Sequence, residues 1–510
     1  MNRHTSALPA VGNVLSRHSR RPSRCGRFVR LLALGVCAGG FLGLAPAAAA
    51  QAARAAARNR VVVLTDIEAD PDDTESMVRL LLYSNEIQIE GLIATTSTWQ
   101  RNRVAPESIH RVIDAYGKVH ANLLLHDPSY PTAGALHALV KQSLAMYGMA
   151  GVGEGKDSEA SEWIIGVLEK PDVRPVWVTV WGGPTALAQA LWKVQHTRSP
   201  AQAERLYRKL RVYTISDQDD SGPWIRRTFP SVFYIVSPGD YGRSTWTAIT
   251  QPDPSTQSER ISNRWIAENI QQGHGPLGAA YPDVAWGMEG DTPSFLGLIP
   301  NGLNAPEHPS WGGWGGRYEL YVPEPTPLSN NLAEPGKEKA PVAETRPIWT
   351  NADDAYSPIV PQTYGRAFRL DTAVYRGNRY TLLRWRDDFQ NDFAARMDWT
   401  VKSFTQANHP PVPRLAGADS FAVHSGEYFR LDASASTDPD GDSMSYFWFQ
   451  YPEAGTYRGR LDFVPNQIHI DVQAPQVDTP QTIQLILRVT DKGTPALSRY
   501  KRIIVTVVPR

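Results

Sequence analysis

Residues 60 to 100 predict the fold of the first part of the chain, and they read RVVVLTDIEADPDDTESMVRLLLYSNEIQIEGLIATTSTWQ. This segment begins with Val61 to Leu64, a short and mostly β-branched apolar run that is typical of a buried strand. The apolar residues between Met77 and Tyr83 predict a helix, and Ile87 to Ala94 predict a second strand. Strand, helix and strand in this order form a βαβ unit, and the same rhythm continues down the chain. We therefore expect an α/β fold with a mostly parallel sheet flanked by helices.

A burst of acidic residues follows the first predicted strand: Asp66, Glu68, Asp70, Asp72 and Asp73. Ligands of open α/β sheets bind beyond the carboxyl ends of the strands, and these acids fall at such an end. Carboxylates packed this closely raise one another's pKa unless a cation lies among them, and Ca²⁺ is bound mainly by carboxylate and carbonyl oxygens. A simpler interpretation stays open, in which one or two of these acids only cap the helix.

This strand, acidic loop and helix resemble the opening of the nucleoside hydrolases, where the loop reads Asp-x-Asp-Pro-Gly-x-Asp-Asp. Asp66, Asp72 and Asp73 match the first, third and fourth acids of that loop. Glu68 stands at the position of the second acid.

A closer resemblance extends from about residue 60 to the C-terminus. It is to secreted bacterial proteins described as cellulose-binding, which have a nucleoside-hydrolase-like domain and a C-terminal immunoglobulin-like domain. The segments EGDTPSFLGLIPNGLN, from Glu289, and RWRDDFQNDFAARMDWT, from Arg384, carry this resemblance.

The resemblance to nucleoside hydrolases implies a Ca²⁺ site. It implies that carboxylates of the loop and one later Asp ligate the ion, together with a backbone carbonyl from the turn after a strand. The implied metal ligands are Asp66, Asp73, Asp291 and the carbonyl of Gly182.

The resemblance also implies catalytic roles. In these hydrolases the second acid of the loop activates water, so Glu68 is the expected base, and Asp70 is the substitute if the longer Glu side chain misplaces its carboxylate. Asp72 is expected to hold sugar hydroxyls. His274, in a Gly-rich loop, is the candidate acid for the leaving group, although a lone loop His is often just exposed.

Two further loops have the composition of saccharide sites. Asp217 and Asp219 form a second acidic loop followed by Trp224, and carboxylates with a Trp suit sugar hydroxyls and sugar faces. A turn and a helix cap explain the same acids. Trp311 and Trp314 lie in a Gly-rich loop and offer flat apolar faces, or else they are buried anchors of that loop.

The length of 510 residues exceeds one ordinary domain. The 52 basic and 52 acidic residues balance, so the chain lacks the positive charge of a nucleic-acid-binding protein, and no nucleic-acid partner is expected. Both cysteines, Cys25 and Cys37, lie near the N-terminus, which excludes thiol chemistry from a processed chain.

The first fifty residues have the features of a signal peptide. A basic region precedes the apolar stretch Leu31 to Leu44, and small residues follow it. We therefore expect residues 1–50 to be removed, and the protein to be secreted or periplasmic with no membrane anchor afterwards.

The pattern changes after a Pro-rich linker that begins at Asn408. Apolar residues then recur with a period of two, and turn clusters separate the runs, which predicts an all-β sandwich. The predicted domains are residues 59–407, nucleoside-hydrolase-like, and residues 414–510, an immunoglobulin-like β-sandwich.

Two functions from different classes are compatible with these residues. The first is a secreted, Ca²⁺-dependent hydrolase of glycosidic or N-glycosidic bonds that acts on plant or microbial saccharides. Because nucleoside hydrolases often assemble, the resemblance also leaves a homo-oligomer open. The second is a non-catalytic protein that binds cellulose or another polysaccharide on a hydrolase scaffold. A salvage nucleoside hydrolase is disfavoured by the predicted export and by Glu68.

Overall fold

Alternate residues of the first strand enter two different cores, which explains why its sequence is apolar throughout. Val61 and Val63 belong to one buried cluster, whereas Val62 and Leu64 belong to the other. The computed structural model describes residues 58–238, 245–324, 343–361 and 368–510. The predicted signal peptide, residues 1–50, lies outside the described residues.

One sheet of eight strands organises the first part of the chain. Its strand order is β3-β2-β1-β4-β5-β6-β8-β7, and neighbouring strands are parallel except β7, which runs antiparallel to β8. These strands are β1 Asn59–Thr65, β2 Ile87–Ala94, β3 Val140–Gln142, β4 Val176–Val180, β5 Leu210–Thr214, β6 Phe233–Val236, β7 Tyr318–Tyr321 and β8 Ile348–Asn351.

Helices cover both faces of the sheet, as βαβ connections require. The described helices are α1 Asp72–Leu82, α2 Pro106–Leu123, α3 Ala133–His137, α4 Glu159–Glu169, α5 Thr185–Thr197, α6 Pro200–Lys209, α7 Ser221–Thr228, α8 Thr247–Thr250, α9 Asn263–Ile266, α10 Gly275–Ala279, α11 Pro293–Leu296, α12 Tyr380–Leu383 and α13 Arg386–Asp398. A π-helical stretch, Ala267–Gln271, continues α9. Of the helices described, none combines the length and the apolar character that a membrane crossing requires.

The C-terminal part is rich in β-structure. A four-stranded sheet of order β13-β18-β17-β15 and a pair β14-β16 share one buried cluster, which includes Phe429 and Val472 from the pair and Leu485 and Ile503 from the sheet. The remaining strands are β9 Asp354–Tyr356, β10 Ile359–Pro361, β11 Phe368–Leu370, β12 Tyr375–Gly377, β13 Ser420–His424, β14 Tyr428–Asp432, β15 Ser445–Gln450, β16 His469–Gln473, β17 Gln481–Thr490 and β18 Ser498–Val508.

The predicted fold class is confirmed: a large, mostly parallel sheet with flanking helices precedes a β-rich region. The immunoglobulin likeness of that region stays a prediction, as do the domain limits 59–407 and 414–510. The described residues, which begin at Arg58, form one compact unit. The carboxylate of Asp388 on α13 joins its two parts, because it accepts hydrogen bonds from Arg488, Ser498 and Tyr500.

Candidate functional site

Five carboxylates converge at the carboxyl end of β1. Asp66 directly follows the strand, Asp70 and Asp72 lie in the loop and at the helix start, and Asp73 lies in the first turn of α1. One carboxylate oxygen from each of Asp70, Asp72 and Asp73 lies within 4.8 Å of the others. Asp291, which precedes α11, lies close to the same cluster. The negative charges of the loop acids therefore raise its pKa.

Burial, followed by repulsion from neighbouring carboxylates, raises the pKa values of four of these acids: Asp66, Asp72, Asp73 and Asp291. Desolvation raises the pKa of Asp66 to about 6, and Asp70 adds to the rise. The pKa of Asp291 is raised first by burial and then, in decreasing order, by Asp72, Asp73, Asp66 and Asp70. Such a cluster is costly unless a cation neutralises it.

The partners of these carboxylates leave room for a cation. The hydroxyl of Thr65 donates to Asp73 Oδ1. Within the part of the chain that the structure describes, Asp291 Oδ2 and Asp70 Oδ1 are buried without a hydrogen-bond partner. Unpaired buried carboxylate oxygens, with more carboxylates beside them, suit a hard divalent cation such as Ca²⁺. The residues present therefore fit the ion that the resemblance implies.

The turn after β4 packs directly against the cluster. A Cβ atom on Gly182 would lie 2.6 Å from Asp66 Oδ1, and one on Gly183 would lie 2.8 Å from the Thr96 carbonyl oxygen and also overlap Asp219 Oδ2. Only glycine allows so close an approach of backbone and carboxylate. The structure thus brings Gly182 beside Asp66, while its carbonyl as a metal ligand stays a prediction.

The second acidic loop serves mainly its own structure. Asp217 forms a two-pronged ion pair with the buried Arg226, with both N–O distances 2.8 Å. Asp219 accepts from the Ser221 amide at 2.8 Å and from the Thr185 hydroxyl at 2.9 Å. Burial raises the pKa of Asp219 to about 6. The turn interpretation therefore explains these acids, and the expectation that both hold sugar hydroxyls is corrected, although Asp219 does lie near the cluster.

A cavity of about 640 Å³ opens beside the acids. Asp70 and Asp72 line it together with three indoles, those of Trp99, Trp246 and Trp286. Trp99 is 56% exposed and Trp286 is 88% exposed, so their faces are accessible to a ligand. The sequence interpretation missed these residues. Trp99 lies at the end of the opening sequence and Trp286 lies five residues before Asp291, so proximity to the predicted metal ligands was the available signal.

The tryptophans that the sequence analysis predicts as saccharide-binding residues do not line this cavity. Trp314 is fully buried and packs against Phe389 and Tyr500. Trp311 stacks on His308 with ring centroids 4.0 Å apart. Trp224 contacts Phe229 edge-on at 5.3 Å. The prediction of a sugar platform is wrong for the buried Trp314. None of the three rings lines the cavity, and sugar stacking on Trp224 and Trp311 stays a prediction.

Glu68 turns away from the cluster. Its carboxylate accepts from the Ser108 hydroxyl and pairs with Arg111, both on α2. Its backbone has a positive φ of 83°, which is unusual for a residue with a side chain and directs it away from its neighbours. The expected base is therefore held by α2, and Asp70 is the acid that lines the cavity.

His274 lies far from the acids. Its Nε2 is 3.2 Å from Asp398 Oδ1, and the neighbouring Gly275 packs against Val119 near the C-terminal end of α2. Glu68 meets the same helix at Ser108. Eleven residues of helix separate the two contacts, or about 16 Å. His274 pairs with Asp398 and is not among the residues that line the cavity, so its assignment as the leaving-group acid is corrected.

Helix α1 also anchors the loop that carries Asp291. The buried carboxyl group of Glu75 accepts from the Glu289 amide at 2.8 Å, and Arg79 pairs with the Glu289 carboxylate at 2.6 Å. Burial raises the pKa of Glu75 to about 9, so it is a neutral acid at pH 7. These contacts hold Asp291 opposite the loop acids.

Family models match both parts of the chain. Residues 60–318 match the model described as "Cellulose-binding Sde182, nucleoside hydrolase-like domain". Residues 428–507 match the model described as "Cellulose-binding protein Sde0182, C-terminal domain". No curated protein matches the chain.

Among solved structures, the chain is similar to a nucleoside hydrolase-related hypothetical protein from Saccharophagus degradans that is associated with carbohydrate metabolism. The identity is 34%, the match covers 88% of this chain and 100% of that chain, and the TM-score is 0.72. The effector protein XOO4466 matches at 11% identity over 60% of this chain and 92% of that chain, with a TM-score of 0.31 that is too low to inform function. The resemblance expected from the sequence is confirmed, and the chain belongs to the cellulose-binding Sde182 family, with a nucleoside hydrolase-like domain followed by that family's C-terminal domain.

Proposed function

We propose that this protein is a secreted, Ca²⁺-dependent carbohydrate-active protein that hydrolyses a glycosidic or N-glycosidic bond in a plant or microbial saccharide. One observation carries the proposal: Asp70 and Asp72 belong both to the carboxylate cluster and to the wall of the tryptophan-lined cavity. A sugar in that cavity would therefore meet a cation site on one side and indole faces on the other.

Asp66, Asp72, Asp73 and Asp291 would hold the cation. Three of them are at most 3% exposed, and Asp72 offers its oxygens at the boundary with the cavity. When bound, Ca²⁺ supplies positive charge that orients a water molecule and lowers its pKa. The unpartnered Oδ2 of Asp291 and the close approach of Gly182 to Asp66 support this ligand set.

Asp70 is the acid that we propose as the base. It lines the cavity, and its Oδ1 has no partner among the described residues. In the proposed reaction Asp70 accepts a proton from water while the water oxygen bonds to the anomeric carbon. The bond from that carbon to the leaving oxygen or nitrogen breaks, and the leaving group takes a proton from solvent.

The indoles determine which ring the cavity accepts. Trp99 and Trp286 present accessible faces, and sugar rings place their apolar C–H faces on such surfaces. Because the N-terminal sequence predicts export, a polysaccharide or oligosaccharide is the proposed substrate. The words "cellulose-binding" in the family description support a polysaccharide partner.

A second candidate function is polysaccharide binding without cleavage. The position of Glu68 favours it, because the residue that matches the catalytic acid of nucleoside hydrolases is paired with Arg111 instead of facing the cluster. On this alternative the cation and the indoles bind the saccharide, and no base acts on water.

Incubation of the full-length protein with furanosides, nucleosides and polysaccharides, in Ca²⁺ and in chelator, tests these functions. We expect Ca²⁺-dependent sugar release that Asp70→Asn reduces by about 10²-fold or more. Glu68→Gln is the matched control and should retain the activity. Saccharide binding without release of sugar from any substrate would favour the second function and reject Asp70 as a base.

A further inference from the structure

Two histidines meet at the junction between the α/β part and the β-rich part. His126 follows α2, and His409 lies in the segment that the sequence identifies as a linker. His126 Nδ1 and His409 Nε2 are 2.9 Å apart, which is a hydrogen-bond distance. The outer nitrogen of each ring also has a partner, so the orientations of both rings are determined by contacts at both of their nitrogens.

The outer partners are acceptors that cannot donate. His126 Nε2 is 2.9 Å from the carbonyl oxygen of Lys402, and His409 Nδ1 is 3.0 Å from a carboxylate oxygen of Asp440. Each outer nitrogen must therefore carry the hydrogen of its ring. A neutral imidazole has only one N–H group, so the two facing nitrogens would both present lone pairs at 2.9 Å. A cation between them removes this conflict.

The rings around the pair suit a positive charge. Trp399 stacks on His126 at 5.2 Å and on His409 at 5.0 Å between centroids, and Phe404 stacks on His409 at 3.9 Å. Aromatic faces attract cations. Two imidazole nitrogens on one tetrahedral Zn²⁺ lie about 3.3 Å apart, whereas the facing nitrogens here are 2.9 Å apart, which favours a proton over a metal.

The nearby charges leave one anion facing the pair. Asp440 also accepts the backbone amide of His409 at 2.6 Å. The other charged groups packed here pair mainly with partners of their own: Lys402 with Asp398 at 2.8 Å, His274 with Asp398 at 3.2 Å, Arg396 with Asp392 at 3.1 Å and over Trp399 at 5.0 Å, and Asp127 with Asn85 at 2.9 Å. Two further carboxylates near the linker also accept hydrogen bonds: Asp491 from the Asn408 amide at 3.2 Å and Asp438 from the Asp440 backbone amide at 2.9 Å. The carboxylate of Asp440 therefore balances one positive charge on the two rings.

We propose that His126 and His409 bind one shared proton at neutral pH, and that this proton links the α/β part of the chain to the β-rich part. The chain of contacts then runs from the Lys402 carbonyl through both imidazoles to Asp440, which belongs to the turn between β14 and β15.

The link has a defined pH range. Loss of the shared proton at alkaline pH returns the two lone pairs to face each other, so stability falls as pH rises. Uptake of a second proton at acid pH places two cations side by side. Burial and the neighbouring His409 lower the pKa of His126, which opposes that second uptake until the pH is well below about 6.5. The two steps belong to the pair and not to either ring alone.

Thermal unfolding of the full-length protein across pH tests the proposal. His126→Gln presents an amide N–H to the facing nitrogen of His409, so a neutral His409 is accommodated without a shared proton, and the glutamine itself does not titrate. We expect the fall in Tm from about pH 7 to about pH 9 to be at least roughly halved in this variant. His196→Gln, at an exposed histidine of α5, is the matched control and should follow the wild type.

Nitrogen-15 spectra of histidine-labelled protein provide the second measurement, which holds even if the variant folds poorly. We expect both rings of the pair to show partly protonated facing nitrogens at pH 7. Two neutral rings, or equal pH dependence in wild type and His126→Gln, would overturn the proposal. A rise in Tm with stoichiometric Zn²⁺ that chelator reverses would overturn it in favour of a metal.

Discussion

The role of a tryptophan in this protein depends on what covers its faces. Trp286 is 88% exposed beside the carboxylate cluster, whereas Trp311 lies against His308. Replacement of Trp286 by Ala should weaken saccharide affinity about three- to tenfold, because one stacking contact is lost. Calorimetric titration with an oligosaccharide measures this. Trp311→Ala is the control, and an equal loss there would place the saccharide on the Gly-rich loop instead.

Because tertiary contacts determine which side chains are accessible, the role of a single residue is only partly predictable from the sequence. The acids of the opening sequence could be predicted to cluster because they follow one strand. Glu68 could not be predicted to leave them, since its direction depends on a positive φ and on Arg111 from another helix. Both Trp99 and Trp314 lie in loops, and only tertiary packing makes one accessible and the other buried.

At the level of elements, the turn after β4 has no space for a side chain. A Cβ atom on Gly183 would lie 2.8 Å from the Thr96 carbonyl oxygen and would overlap Asp219. Gly183→Ala should therefore lower the free energy of unfolding by about 1–3 kcal/mol, because overpacked sites are destabilised by such amounts.

The control is a glycine with free space around it. In α4, a Cβ atom on Gly166 would meet no other atom within 4 Å, so Gly166→Ala should raise the free energy of unfolding by about 0.5–1 kcal/mol. Urea unfolding measures the free energy of unfolding of both variants and of the wild type. A Gly183→Ala variant as stable as the wild type would show that the turn can move to accommodate a side chain.

Strands and helices were more predictable from the sequence than the positions of single side chains. A buried parallel strand must be apolar on both faces, so Val61 to Leu64 could be assigned without a structure. The period of two after residue 414 likewise indicated strands. The cavity could not be predicted, because its wall combines the loop after β1, Trp99 after β2, α8 and the segment around Trp286.

Across the whole molecule, buried ion pairs join α13 to the β-rich part. Asp392 is buried, and despite that burial Arg499 and Arg396 lower its pKa to about 2. Asp392→Asn should reduce the free energy of unfolding by about 3–5 kcal/mol near pH 7, because the buried Arg499 loses its paired carboxylate and Arg396 keeps only Glu86. Denaturant unfolding measures this. Asp462→Asn is the control, since Asp462 is 95% exposed and pairs weakly.

The pH dependence of this contribution has a definite sign. The folded pKa of Asp392 is lowered from 3.8 to about 2, so its stabilisation is complete above the unfolded value. It is lost as pH falls from about 4 to about 2. The stability difference between wild type and Asp392→Asn should shrink over that range, and a constant difference would mean that the carboxylate charge is not what joins the two parts.

The proposed function requires that the carboxylates at the end of β1 hold a cation over which a sugar binds. Calorimetric titration of chelator-treated, full-length protein with Ca²⁺ tests it most directly, with Asp73→Asn as the test variant and Glu68→Gln as the control. We expect one Ca²⁺ per chain, with binding lost in Asp73→Asn and retained in Glu68→Gln. The absence of Ca²⁺ uptake by the wild type, or equal uptake by Asp73→Asn, would contradict it.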